Sequence, residues 1–333
     1  GKLGLLDQPC ADGCGVDLVK ADEALRADES VHRMFSHIAA YTPKDGLKLE
    51  AELDPERDSY LQDHAINGIP VLPGVMGIEG FARAAKHIAS VLASRGKGFE
   101  VVRLGDIKFL APVKFYGNKP RKIQWTAKGY ATEDGIKVTA TLESDLLRAN
   151  GESDHVTHFT GNVYLSENAK PEETLALAPK WAKKASLKQD NIYKLYFHGP
   201  SFQVLDSAQL SKEGILGRFN KQLAEHAKLN QPETHPLLVE LCFQTAGLYE
   251  LGKTGGMGLP HSIESIRLYN QQLNGVPVYA LVTPVEADGQ LYFNATVVDA
   301  EGNIYLEIER YLTNALPYSL DAELLRPVQN LFA

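Results

Sequence analysis

The sequence predicts an α+β chain in which one structural plan is used twice. Three observations predict it. Two long apolar helical stretches, residues 74–94 and 236–251, stand in opposite halves of the chain. Each is followed by consecutive strand-like runs, not by strands alternating with helices, and that order marks α+β over α/β. A Lys-, Ala-, Glu- and Pro-rich stretch at residues 166–188 separates the two runs. The 333 residues suit this plan, at roughly 100–200 residues per domain. The expected organisation is an entry linker over 1–46, a first subdomain over 47–168, a linker over 169–188 and a second subdomain over 189–333.

Taken in order, residues 1–46 are rich in Asp, Gly and Cys up to Asp17, followed by a loose helical pattern over 21–40. Residues 47–53 alternate strictly and read as a strand. A loop with Pro, Asp and Gly then carries His64 to Pro73. In the helix over 74–94, Val75, Ile78, Ala82, Ala85, Ala89 and Leu92 recur at three- and four-residue steps, and Met76, Phe81 and Ile88 widen the apolar stripe. Pro73 suits its start. Strands follow at 101–115, 123–130, 136–143 and 155–165, with Glu133-Asp134-Gly135 as a hairpin signal. Trp181 suggests that part of the linker docks. The second half has a short helix at 189–196, a hairpin around Glu213-Gly214, the helix from Pro236, and strands at 262–269, 277–285, 290–299 and 304–313. The halves share a pattern and not letters.

Composition excludes some functions. Hydrophobic residues make up 44% and charged residues 23%, ordinary for a globular protein with a sizeable core. The formal charge of −8 argues against a nucleic-acid grip, though an acidic partner could still dock on a local basic patch. Cys10, Cys14 and Cys242 cannot form a disulfide framework; Cys10 and Cys14 could pair or bind metal, but with no His or further Cys at ligand spacing they read as reduced thiols in a mobile segment. No run approaches the ~18–20 apolar residues of a membrane span, and the chain opens without a signal peptide. The expected location is the cytoplasm. The absence of an initial Met points to a chain processed, tagged or cut from something longer.

Some motifs fail on context. Residues 247–254 match the phosphate-loop letters G-x4-G-K-S/T, but they close a helix and do not open one, and Glu250 would repel an anion. Gly252 reads there as a helix C-cap. His155 and His158, three apart in a strand, face opposite ways and cannot share one metal.

Two segments carry the chemistry. His64 lies on a loop with Asp63 before it and Gly68 four residues on, near a helix N-terminus able to bind an oxygen gaining charge. The plainer alternative is a loop histidine among turn residues. Glu240 and Gln244 share one face of the second helix, flanked by Leu237 and Leu241. Burial there would raise the carboxyl's pKa and keep it protonated, as a general acid requires; the alternative is an exposed helix glutamate.

His64-x3-Gly68-x4-Pro73 followed by Gly74 resembles the H-x3-G-x4-P motif of the dehydratase domains of modular polyketide synthases and polyunsaturated-fatty-acid synthases. His198-Gly199-Pro200-Ser201-Phe202 is similar to that family's Y-G-P-x-F block, and His235-Pro236 through Gln244 to its H-P-x-x-x-D-x-x-x-Q/H helix. The resemblance covers roughly residues 45–316. It implies a double hot-dog fold, with the active site between two fused copies. It also implies dehydration of a β-hydroxyacyl thioester carried on the phosphopantetheine of an acyl carrier protein, with no metal or other cofactor of its own. His64 would be the base and Glu240 the acid. Gln244 would orient Glu240, Gly68 and Gly74 would offer N–H groups to the thioester carbonyl, and Pro73, His198, Gly199, Pro200 and Phe202 would complete the substrate site. Neighbouring synthase domains are implied partners, as is a second copy, because the family often pairs. The chain departs from the family in three ways: Glu240 stands for its aspartate, His198 stands for its tyrosine, and its usual opening His-Pro-Leu-Leu block is not evident before residue 45. The rival readings are another acyl-thioester reaction on the same scaffold (hydrolysis, isomerisation or product-template cyclisation) and a non-catalytic docking module.

Overall fold

The computed structural model describes residues 18–27, 34–42, 44–92, 98–147, 153–168, 170–175, 179–181, 186–223, 232–269, 272–273, 275–316 and 320–333. Cys10 and Cys14 lie outside these residues. The chain divides into two compact units. The first comprises Gly1–Leu61, Ile69–Lys170 and Leu229–Thr234; the second comprises Gln62–Gly68, Pro171–Lys228 and His235–Ala333. Each unit includes a short segment from the other half of the chain. His64, expected with the first subdomain, therefore belongs to the second unit.

The first unit begins with α1 (Leu18–Ala27). Its sheet contains β1 (His37–Thr42), β2 (Gly46–Leu53), β5 (Glu100–Phe109), β6 (Arg121–Thr132), β7 (Gly135–Leu147) and β8 (Ser153–Ser166), in the order β1-β2-β6-β7-β8-β5. All these neighbours are antiparallel. The helical pattern over 21–40 is not one helix. It splits into α1 and the edge strand β1, because Ile38 and Tyr41 point into the core while the backbone pairs with β2. Asp22 of α1 accepts a hydrogen bond from the Ile38 N–H at 2.7 Å. Residues 37–42 and Gly46, expected as linker, are therefore part of the sheet. The expected strand over 101–115 stops at Phe109, where the N–H groups of Leu110 and Ala111 both turn to the His158 carbonyl and Pro112 has no N–H to offer.

The helix α2 (Gly74–Leu92) packs on this sheet and buries Val75, Ile78, Phe81, Ala82, Ala85 and Ile88, all at most 2% exposed. Its approach is close enough that a Cβ on Gly80 would strike the Trp125 indole. Glu79, fully buried, pairs with Arg83 at 2.6 Å and accepts the N–H groups of Glu233 and Thr234 and the Thr234 hydroxyl. His158 is also interior, with Nδ1 at 3.1 Å from the Ala111 carbonyl and Nε2 at 2.8 Å from Ser144 Oγ, whereas His155 three residues away is exposed. The opposite-face expectation for the two histidines holds.

In the second unit, two-residue strands β3 (Ala65–Ile66) and β9 (Leu187–Lys188) and a single helical turn, α3 (Gln189–Ile192), precede the hairpin of β10 (Leu205–Leu210) and β11 (Ile215–Phe219). The first unit holds β4 (Ile69–Pro70). The expected helix over 189–196 is thus reduced to one turn. The sheet runs β12-β15-β14-β13-β11-β10-β9, where β12 is Gly258–Leu268, β13 Val278–Ala287, β14 Gln290–Asp299 and β15 Ile304–Ala315. Trp181 docks as expected, stacked on Tyr279 with ring centroids 5.7 Å apart.

The helix α4 (Pro236–Thr254) packs on this second sheet and is buried along most of its length. It starts after His235, a non-glycine residue at φ 54°, with Pro236 at the first turn. It ends three residues later than expected. Gly255, at φ 74°, is the left-handed cap, and its N–H bonds the Leu251 carbonyl. Gly252 is inside the helix, where a Cβ would meet the Phe332 ring, so close packing and not capping demands glycine there. The phosphate-loop letters accordingly sit in the closing turns of a helix. A last helix, α5 (Ala322–Gln329), is capped by Asp321, whose side chain accepts the Glu323 N–H.

Candidate active site

The second unit brings His64, His198 and Glu240 together from three separate stretches of chain. All three are less than one tenth exposed. The backbones of His64 and His198 form an isolated antiparallel bridge, and their rings lie 5.3 Å apart between centroids. Phe197 and Phe202 close on the His64 ring at 5.1 and 5.7 Å. On its other side, His198 places Nε2 3.1 Å from Oε1 of Glu240.

The loop carrying His64 is held by Asp63. The Asp63 carbonyl accepts the Gly199 N–H at 2.7 Å, and its carboxylate accepts both the N–H and the hydroxyl of Ser201. Gly199 is required here, because a Cβ would come within 2.5 Å of Asp63 Oδ1. Pro200–Phe202 form a single 3-10 turn with Ser201 and Phe202 buried, so the His198–Phe202 block acts as a rigid corner. Gly68 ends the loop at φ 77°, with open space where a side chain would be.

Glu240 is held by Gln244. Its Nε2 donates to Glu240 Oε1 and to the Phe202 carbonyl, both at 2.8 Å, and its Oε1 accepts the Tyr193 hydroxyl at 2.8 Å. Tyr193 in turn accepts the Leu205 N–H, and Tyr196 donates to the Gln244 carbonyl at 2.5 Å. Oε1 of Glu240 therefore takes two donors, His198 and Gln244. No donor among the described residues is bonded to Oε2.

This arrangement corrects the expectation of a raised Glu240 pKa. Burial does push the carboxyl up. The His198 hydrogen bond, the charges of His198 and His64 and the Gln244 hydrogen bond together outweigh it and hold the group below its ordinary value. The ligand-free site thus favours the carboxylate. Burial also pushes the Cys242 thiol up, which leaves it inert beside this chemistry.

Pro73 and Gly74 belong to the first unit, at the start of α2. There a Cβ on Gly74 would meet the Phe109 ring at 2.8 Å, so its glycine serves packing. Sequence reasoning assigned no role to Asp63, Ser201, Tyr193, Tyr196 or Phe197. Only Asp63, adjacent to His64, and Ser201, inside the Gly-Pro block, carried any local signal. Among the described residues no three His, Cys, Asp or Glu side chains gather as a metal site, and no helix is long and apolar enough to cross a membrane.

Comparison with known proteins decides the family. The model for "Polyketide synthase dehydratase domain" matches residues 32–141, and that for "Polyketide synthase dehydratase N-terminal domain" matches residues 170–321. The chain belongs to the polyketide synthase dehydratase family. Its fold is the double hot-dog of that family. A dehydratase domain of a trans-AT polyketide synthase from Brevibacillus brevis has a TM-score of 0.67 at 19% identity, over 84% of this chain and 97% of that one. The dehydratase domain from the CurF module of the curacin synthase gives 0.63 at 20%, over 84% and 96%. A polyunsaturated fatty acid synthase protein of Thraustochytrium sp. is 21% identical over 274 residues, which are 79% of this chain and 9% of that protein. Erythronolide synthase EryA2 of Saccharopolyspora erythraea is 22% identical over 267 residues, 79% of this chain and 7% of that protein. The dehydratase-family chain thus spans less than a tenth of these curated relatives.

Proposed function

We propose that this dehydratase-family chain removes water from a β-hydroxyacyl thioester, delivered on the phosphopantetheine arm of an acyl carrier protein, to give the α,β-enoyl thioester. Its partners would be that carrier protein, the neighbouring domains of a cytoplasmic polyketide or fatty-acid synthase, and a second copy of the chain. The observation that carries the reading is the buried His64–His198–Glu240 cluster, in which His198 and Gln244 both bond Oε1 and no donor among the described residues is bonded to Oε2. The curacin-synthase CurK dehydratase supports it by analogy: a histidine-to-phenylalanine mutant and an aspartate-to-asparagine mutant of that domain are both described as inactive.

His64 takes the α-proton. As the C–O bond breaks, the departing β-hydroxyl takes the proton of Glu240 from Oε2, and the C–O electron pair leaves with water. His64 then holds the proton that came from the α-carbon, and return of that proton to the carboxyl resets the site. The acid form is needed at the start, whereas the free site favours the carboxylate. A bound acyl chain supplies the difference, since apolar substrate laid against Oε2 further disfavours the charged form and pushes the carboxyl up. Gln244 fixes Glu240 through Oε1, Phe197 and Phe202 orient His64, and the Gly68 N–H is offered to the thioester carbonyl.

Incubation with β-hydroxyacyl carrier proteins of several chain lengths, read by mass spectrometry, tests this function. Loss of one water, or its addition to the enoyl form, supports it. Thioester hydrolysis or double-bond migration without loss of water would assign the site to a different acyl-thioester reaction.

A further inference from the structure

Glu240 has an unusual partner. A carboxylate held by a neutral amide alone would be oriented but weakly tuned; here an imidazole N–H shares the same oxygen. The tautomer that donates to Oε1 carries its proton on Nε2. That leaves Nδ1 buried with no hydrogen-bond partner among the described residues. The ring cannot easily turn over, since Tyr196, Phe197 and His64 surround it with centroids at 5.5, 4.3 and 5.3 Å. The His198 carbonyl is also tied, accepting Gln203 Nε2 at 3.1 Å. His198 therefore presents one fixed N–H to one carboxyl oxygen.

Resting on the dehydratase reading, we propose that His198 is the positioning residue of the acid: its Nε2–H, locked on Oε1 of Glu240, turns Oε2 to the substrate and sets the pH at which the carboxyl gives up its proton. The remaining surroundings of Glu240 cannot do this. Apart from the two histidines, the titratable groups that feel its charge are Tyr193, Tyr196, Tyr311 and Cys242, and burial raises the pKa of each, so they stay neutral. Gln244 adds a neutral donor that every His198 variant would retain.

Two substitutions separate donor from ring. His198→Phe keeps a ring of similar shape within the aromatic cluster and deletes the N–H. His198→Gln keeps an N–H at nearly the same reach and deletes the ring. The first readout is the titration of the Glu240 carboxyl carbon, followed by NMR in glutamate-labelled protein and assigned by its absence in Glu240→Gln. With His198→Phe the midpoint rises by about one pH unit, since burial is no longer opposed by that donor. With His198→Gln it rises less, because the N–H donor stays and only the charge of the imidazole is lost. The second readout is kcat/KM against pH: a carboxyl held below its ordinary value titrates below an ordinary imidazole and sets the acidic limb, and that limb moves upward by the same amount with Phe and by less with Gln. An unchanged midpoint with Phe, or an equal shift with both variants, overturns the proposal. So does a uniform rate loss at every pH, which is what packing alone would give. If the wild type dehydrates nothing, the dehydratase reading fails, while the carboxyl titration still decides the role of His198.

Discussion

Asp63 binds Ser201 across 138 residues of sequence, accepting both its backbone N–H and its hydroxyl. This contact holds His64 in register with His198. It also explains the glycine between His198 and Ser201, since the Gly199 N–H bonds the Asp63 carbonyl and a Cβ at that position would press on the Asp63 carboxylate. The loop carrying His64 is thus placed by a polar latch, and aromatic rings lie around His64 beside it.

Asp63→Ala should therefore cost more in activity than in folding. Ser201, fully buried, loses its acceptor, for roughly 1–3 kcal/mol of stability. The loop's displacement should lower kcat/KM on the order of 100-fold. Chemical denaturation and steady-state kinetics on one preparation would check both, and a variant with full activity would show that the latch does not place His64.

The buried pair Glu79–Arg83 is a separate structural point. Glu79→Ala leaves Arg83 without its carboxylate partner and frees the backbone at Glu233 and Thr234. Breaking such a pair from one side should destabilise by about 3–5 kcal/mol. Urea unfolding read by tryptophan fluorescence would measure it, and a change under about 1 kcal/mol would mean that solvent reaches the pair.

His158 should make stability depend on pH. Burial, with the nearby Arg121 charge, pushes its pKa down to about 4, against the Ala111 hydrogen bond, so the folded chain holds it neutral. An unfolded histidine binds its proton near 6.5. The contribution is complete above that value and is lost as pH falls through the window between about 6.5 and 4, because the unfolded state binds more protons there. Comparison of wild type and His158→Asn at pH 7.5 and 5 should show the wild type losing on the order of 2 kcal/mol more than the variant. Equal losses would remove His158 as the cause.

Much of this was legible in the letters. The apolar periodicity of residues 74–94 marks α2, the turn at Glu133-Asp134-Gly135 joins β6 to β7, and the spacing of Glu240 and Gln244 places them on one helical face. These are local signals, decided within a few residues. The misses share one cause. The bridge of His198 to His64, the hold of Asp63 on Ser201 and the pairing of β1 with β2 depend on which chain segments fold together, and periodicity does not report that. The charge state of Glu240 failed for the same reason: its flanking leucines announced burial, while the histidines that oppose burial lie elsewhere in the sequence. Gly252 looked like a cap because Phe332, which it accommodates, is 80 residues away.

The Glu240 side chain admits a finer test. Glu240→Asp keeps the acid but withdraws it from His198 and Gln244 by one methylene. We expect kcat to fall about 10- to 100-fold while KM changes little, because the lost contacts position the acid and do not bind the acyl chain. Substrate titration of the rate would separate the two, and a change confined to KM would place Glu240 in binding.

The central claim is a division of labour between His64 and Glu240, and mass spectrometry of a β-hydroxyacyl carrier protein tests it most directly. Wild type, His64→Ala and Glu240→Gln would be incubated with the same substrate, and each variant checked for folding by its thermal transition. The expected result is loss of one water with wild type and rates at least about 100-fold lower with either variant. Dehydration that survives Glu240→Gln at the wild-type rate would contradict it and move the search for the acid to His198.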